Sequence, residues 1–178
     1  MAHKQEFGPW EIVDKLNHDH LFKVRISNRP TGSEYVLKTL FHSSREGKDF
    51  YSGFRKEITV LKQLNHPNVL ELVDYDLNPL NPYFVTPFYN MGSLEDMLPL
   101  RKNWKRRITK GIIRGYSYLH QQGIIKFDNN PKNIFLHQNT TKKLPRAIVG
   151  DFGMFELKTE PDLITNTWMD VLDIVKVL

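Results

Sequence analysis

The segment Ile124-Ile125-Lys126-Phe127-Asp128-Asn129-Asn130-Pro131-Lys132-Asn133 constrains this chain more than any other. It sets an aspartate five positions before an asparagine and runs directly into the apolar triplet Ile134-Phe135-Leu136. Downstream, Asp151-Phe152-Gly153 places a second carboxylate in a turn-prone setting. One carboxylate can accept a proton from an alcohol, while the asparagine and the other aspartate can hold Mg²⁺ on a nucleotide. That is the inventory phosphoryl transfer needs. An isolated Asp-Phe-Gly carries little weight. Two such segments in this order, with a lysine and a helical glutamate upstream, carry a great deal.

The pattern around these segments is strand-rich first and helix-rich later, which predicts an α+β chain. Residues from about Trp10 to Phe41 read as strands. Val24-Arg25-Ile26 and Tyr35-Val36-Leu37-Lys38-Thr39-Leu40 flank the turn cluster Asn28-Arg29-Pro30-Thr31-Gly32 and suit a hairpin. Ser43 to Lys48 reads as a loop. Phe54, Ile58, Leu61 and Leu64 have helical spacing and predict a helix over 50–64, stopped by Pro67. Strands are predicted over 69–75 and 83–87, around Asn78-Pro79-Leu80-Asn81-Pro82. Ile108, Ile112, Tyr116 and Leu119 then form one face of a long helix, with Gly123 just past its end. Short strands follow at 134–136 and 147–149, joined by a loop rich in Thr and Lys. The apolar-rich segment 167–178 has helical character.

At 178 residues the chain is expected to form one domain, or a small domain of two lobes. A composition that is 40% apolar, with 11 Phe and 7 Tyr, supplies a core. With no cysteine, a disulfide framework and a thiolate metal site are excluded. The N-terminus lacks the apolar stretch of a secretory signal, and no apolar run reaches membrane-spanning length, so a cytoplasmic location and no membrane partner are expected. A net charge of +5 favours anionic partners such as a nucleotide or an acidic protein; a nucleic acid partner is not expected. Seven cations, Arg101, Lys102, Lys105, Arg106, Arg107, Lys110 and Arg114, gather at the start of the long helix. They could dock an acidic partner, although a solvated helix face is the commoner explanation. His18-Asp19-His20 has no further ligand nearby and reads as a loop tip rather than a metal site.

From about Trp10 to its end the chain resembles the eukaryotic-type protein kinase superfamily. Tyr118-Leu119-His120-Gln121-Gln122-Gly123-Ile124-Ile125-Lys126-Phe127-Asp128 is similar to the family's YLHxxGIIHRD, and Asn133-Ile134-Phe135-Leu136 to the NILL that follows. Tyr35-Val36-Leu37-Lys38 resembles the VAIK strand. Glu57, opening the run to His66-Pro67-Asn68-Val69, resembles the glutamate of helix αC and the turn after it. Asn90-Met91-Gly92-Ser93-Leu94 resembles the exit from the hinge. The resemblance implies a two-lobed fold. A small antiparallel sheet with one αC helix would span 10–88, and a reduced, mainly helical lobe would span 89–178.

The resemblance also implies roles. Asp128 would orient the substrate hydroxyl and take its proton. Asn133 and Asp151 would hold Mg²⁺ or Mn²⁺. Lys38 would hold the α- and β-phosphates of ATP, positioned by an ion pair with Glu57. Thr86 fits the gatekeeper. Pro87 would offer its carbonyl to adenine and Tyr89 its N–H, while Val24, Val36 and Phe135 would sandwich the purine. Lys132 could neutralise charge on the transferring phosphoryl group, or be a plain solvated lysine.

Three departures stand out. Leu16-Asn17-His18-Asp19-His20-Leu21-Phe22-Lys23-Val24 falls where a glycine-rich loop should lie, yet every glycine is replaced, so weaker nucleotide clamping is expected. Lys126-Phe127-Asp128 lacks the arginine that pairs with a phosphorylated activation loop; the aliphatic stem of Lys126 is expected to fill the place of the usual histidine. Asp170-Val171-Leu172-Asp173-Ile174-Val175 resembles the start of helix αF but follows Asp151 closely, with no APE motif between. The chain thus resembles a minimal member lacking most of the activation segment and the helices after αF, as in kinases of bacterial effectors and viruses. The expectation is γ-phosphate transfer from ATP to Ser/Thr of one folded protein target, for instance a chaperone in a host cytoplasm. The alternatives are a pseudokinase that sequesters a kinase or chaperone, and a small-molecule kinase.

Overall fold

The computed structural model describes residues 7–16, 20–27, 32–40, 47–126, 128–139, 141, 144–153, 155–157 and 174. The chain divides into two compact units. One comprises Met1–Gln63 with Glu71–Phe88, the other Leu64–Leu70 with Tyr89–Leu178.

In the first unit, strands β1 (Trp10–Lys15), β2 (Leu21–Ile26), β3 (Tyr35–Thr39), β4 (Asp74–Asp76) and β5 (Tyr83–Pro87) form one sheet in the order β1-β2-β3-β5-β4, with every neighbouring pair antiparallel. Alternation along the strands assigns each side chain to a face. Phe22, Val24, Leu37, Tyr83 and Val85 share one face and, with Phe7 and Trp10, make a buried core. The Trp10 indole N–H donates to Asp74 at 2.6 Å and ties the two edge strands together. Helix α1 (Gly47–Leu61) covers the other face, where its Phe54 ring lies 5.3 Å from that of Phe84.

Two sequence expectations change here. The helix begins at Gly47, inside the expected loop, because first-turn N–H groups have no helical partner and a glycine there costs little. It ends at Leu61 rather than Leu64, because the Gln63 N–H turns back three residues to Val60 at 2.9 Å and tightens the last turn. The strand expected over 69–75 is reduced to Asp74–Asp76. The backbone of its first part is spent elsewhere, since the Leu70 N–H donates to the Val149 carbonyl at 2.8 Å.

The second unit contains α2 (Lys102–Gln121), β6 (Ile124–Lys126), β7 (Ile134–His137), β8 (Arg146–Val149) and β9 (Phe155–Leu157), with short 3₁₀ turns at Glu95–Met97 and Pro131–Asn133. Trp104, Ile108, Ile112, Tyr116 and Leu119 are the buried stripe of α2. Beneath it, Asn68 donates to the Ala147 carbonyl at 2.7 Å. Strand β7 pairs with β8 and β6 with β9, both antiparallel; the β6–β9 pair was not foreseen in the sequence. The fold is α+β, with an antiparallel sheet and few helices. No helix among the described residues is long and apolar enough to cross a membrane. The segments expected as αF and as the helical tail lie outside the described residues apart from Ile174, as do Asn17, His18 and Asp19 of the glycine-poor loop.

Candidate active site

In the first unit, strand alternation puts Val36, Lys38, Phe84 and Thr86 on the face that α1 covers, with Val36 opposite Thr86 and Lys38 opposite Phe84. The Lys38 ammonium donates to both carboxylate oxygens of Glu57, at 2.9 and 3.2 Å, and sits 5.4 Å from the Phe84 ring. Glu57 is only 3% exposed, so its charge requires this partner. Val24 is not brought to this group. The register pairs it with Tyr35, on the opposite face, where it is fully buried beside Leu37 and Val85. The residue facing Val36 is Lys23, which sequence reasoning missed. Its ammonium is held by Glu34 at 2.7 Å and lies 4.5 Å from the Phe88 ring. Pro87 closes β5 opposite Tyr35, and Thr86 is buried.

In the second unit, the β7–β8 register pairs Ile134 with Val149, so the residues just outside it, Asn133 and Gly150, are neighbours. The Gly150 N–H donates to the Asn133 carbonyl at 2.8 Å. The hairpin thereby carries Asn133 on one end and Asp151 just past the other. Asn133 donates its side-chain amide to Asp128 Oδ2 at 2.8 Å and to the Asp128 carbonyl at 3.3 Å. Asp151 stands at φ 53° and its Oδ1 accepts the Gly153 N–H at 3.1 Å. A Cβ on Gly150 would collide with the Phe135 ring, which stacks at 5.8 Å on Tyr89. Lys132 is exposed and pairs loosely with Glu95 at 3.5 Å, while its N–H is capped by Asn130.

Lys126 also departs from the sequence reading. Its stem is buried as expected, at 2% exposure, but its ammonium donates to the backbone carbonyl of Asp151. Charge at the third position of an otherwise apolar strand was the available signal: a buried lysine must find an acceptor.

The residues present fit a divalent metal. With its amide N–H₂ turned to Asp128, Asn133 keeps a carbonyl oxygen as its ligating atom, and Asp151 adds a carboxylate. Both are the hard oxygen donors that Mg²⁺ and Mn²⁺ take. Among the described residues no group of three or more His, Cys, Asp or Glu could hold a metal alone.

Residues 23–169 match the protein kinase domain family. The chain belongs to the protein kinases. It is 31% identical to the serine/threonine-protein kinase GIN4 of Saccharomyces cerevisiae, over 90% of the chain and 15% of that relative. It is 29% identical to the probable serine/threonine-protein kinase KCC4 of the same yeast, over 90% of the chain and 16% of the relative. With the CBL-interacting serine/threonine-protein kinase 9 of Arabidopsis thaliana the identity is 27%, over 93% of the chain and 38% of the relative. The chain thus spans well under half the length of each of these kinases. Within this kinase domain the local folds assemble the ion pair of Lys38 with Glu57 and the hydrogen-bonded pair of Asp128 with Asn133.

Proposed function

We propose that this kinase domain transfers the γ-phosphate of ATP to a serine or threonine of a protein substrate. The observation that carries the reading is the Asn133–Asp128 hydrogen bond of 2.8 Å. It fixes a half-buried carboxylate with one oxygen engaged and the other available to a substrate hydroxyl. The serine/threonine specificity is supported by the relatives, which are serine/threonine-protein kinases.

In this reading Asp128 orients the hydroxyl and takes its proton as the O–P bond forms. Lys38 holds phosphate oxygens, and Glu57 keeps the ammonium in place. Asn133 and Asp151 hold the divalent ion, which when bound with ATP offsets the charge of the phosphates. Val36 offers apolar surface to the purine, and Pro87 offers its carbonyl to the purine's edge. A folded target fits the short interval from Asp151 to Asp170 in the sequence.

The test is transfer of labelled phosphate from Mg·ATP to lysate proteins, with phosphosites located by mass spectrometry. Wild type should label serine and threonine, and Lys38→Ala, Asp128→Asn and Asp151→Ala should not. Equal labelling by wild type and all three variants sinks the proposal.

A second reading is favoured by Lys23. A lysine stands opposite Val36, on the face expected to meet the purine, and it is tied to Glu34. A domain altered there could bind a protein partner without transferring phosphate. Nucleotide binding raises the melting temperature of the native state, so a kinase domain unmoved by Mg·ATP would support this second reading.

A further inference from the structure

Helix α2 carries a row of cations that its own fold does not call for. Lys102, Arg106, Lys110 and Arg114 follow one another at four-residue intervals and all are exposed. Residues so spaced lie on one ridge, each about 6 Å further along the axis, so the row extends about 18 Å. The 20-residue helix contains no Asp or Glu. A solvated helix face ordinarily mixes both signs, because like charges at this spacing repel. The row also begins at the helix N-terminus, where the backbone dipole disfavours cations, and no side chain caps that end. None of the four has an ion-pair partner among the described residues. Burial holds the His66 imidazole below the usual range, and Arg114 is close enough to add to the effect. Neighbouring cations are used differently: Arg107 donates to the Pro145 carbonyl at 3.1 Å and Arg101 lies 4.9 Å from the Trp104 ring.

We propose that the Lys102–Arg106–Lys110–Arg114 ridge is a docking surface for an acidic segment of a protein partner. An extended segment with acids at alternate positions repeats at nearly the same interval as the row. Ile113, 38% exposed, stands three residues after Lys110, beside the far end of the row, and adds an apolar contact that a polypeptide can meet. Single-stranded nucleic acid fits less well, because it wants exposed rings to stack on. Here Trp104 and Tyr116 are buried, and the Tyr118 hydroxyl accepts the Asn65 N–H. One isoleucine is too little apolar surface for membrane insertion. A second copy of the chain, at +5, would be repelled.

The proposal concerns binding and stands apart from phosphate transfer. Its test is fluorescence anisotropy with a labelled peptide alternating Glu and Ser around a central Leu, with polyuridylate RNA and phosphatidylserine vesicles as parallel probes. The peptide should bind the wild type, weaken with added salt, and lose about tenfold or more in affinity to Arg106→Glu with Lys110→Glu. Ile113→Ser should abolish the preference for Leu over Ser at the centre. The acidic variant should melt no lower than wild type, because the carboxylate introduced at position 106 would stand four residues from Lys102. Should it fail to fold, Arg106→Gln with Lys110→Gln replaces it. Peptide binding that is unchanged in the folded variant, absent from the wild type, or weaker than binding to RNA or vesicles overturns the proposal.

Discussion

The Lys126 ammonium donates to the main-chain carbonyl of Asp151, the one non-glycine position among the described residues with a positive φ. The β6–β9 pairing, with Lys126 opposite Phe155, brings the two together. A left-handed backbone costs a residue with a Cβ about 1–2 kcal/mol, so the conformation needs outside support, and the lysine supplies it. Lys126→Met keeps the buried stem and removes the donor. It should cost about 1–3 kcal/mol in stability by leaving the carbonyl unpaired. Displacing the Asp151 carboxylate should slow phosphate transfer by about a hundredfold. Urea unfolding and single-turnover transfer read the two effects. A variant that unfolds earlier but transfers phosphate at the wild-type rate would leave Lys126 with a packing role alone.

Glu57→Gln separates the charge of the Lys38 partner from its shape. The amide still accepts a hydrogen bond, but the buried ion pair is gone. Mg·ATP should then raise the melting temperature less than in wild type, and phosphate transfer should fall by about a hundredfold or more. Mg²⁺ without nucleotide should move the melting temperature of neither protein, because among the described residues no group of three or more His, Cys, Asp or Glu could hold it.

Much of the fold was legible in the sequence, and so was the ion pair of Lys38 with Glu57. Hydrophobic period exposed the hairpin β2–β3, helix α2 and the strands β7 and β8. The spacing of Asp128 and Asn133 marked both as site candidates, but not the hydrogen bond between them. What escaped was decided by backbone partners. Val69 and Leu70 look like strand residues, yet they pair with Val149 rather than with a sheet neighbour. Val24 looked like a purine contact by its place in a loop pattern. One residue of strand register sends it into the core and turns Lys23 to the other face. Lys132 could not be assigned from the sequence, because its partner Glu95 lies in a turn with no apolar period.

Two glycines should respond oppositely to alanine. Gly53 is exposed in α1 and a Cβ there meets nothing within 4 Å. Gly53→Ala should stabilise by about 0.5–1 kcal/mol through helix propensity. At Gly115 in α2 a Cβ would lie 2.5 Å from the Asn68 carbonyl oxygen and 2.8 Å from Val149. The same helix gain is then outweighed by overpacking, and Gly115→Ala should destabilise by about 1–3 kcal/mol before that gain is counted. Denaturant midpoints of the two variants check the signs.

Acid should weaken the fold early. Burial depresses the imidazoles of His66, His120 and His137, and Arg114 and Arg146 add to the effect at the first and last. Below about pH 6.5 the unfolded chain binds more protons at these sites than the native chain. Stability is therefore full above that pH and falls as pH drops through the lowered native values. At His66, protonation also removes the Nδ1 acceptor that the Asn68 N–H uses at 3.1 Å. Urea midpoints should drop between pH 7.5 and 5.5, and drop less in His120→Leu. Equal midpoints at both pH values would count against it.

The stretch Leu64–Leu70 lies between α1 and β4 in the chain but belongs with Tyr89–Leu178. Asn68 and Leu70 bond there to Ala147 and Val149. No single cut can therefore free either half intact. A fragment ending at Phe88 takes seven residues away from their partners, and one starting at Tyr89 leaves the β8 strand with an unclaimed edge. Co-expressed fragments must trade that stretch across the break, which makes complementation, rather than isolation, the workable route to studying the halves.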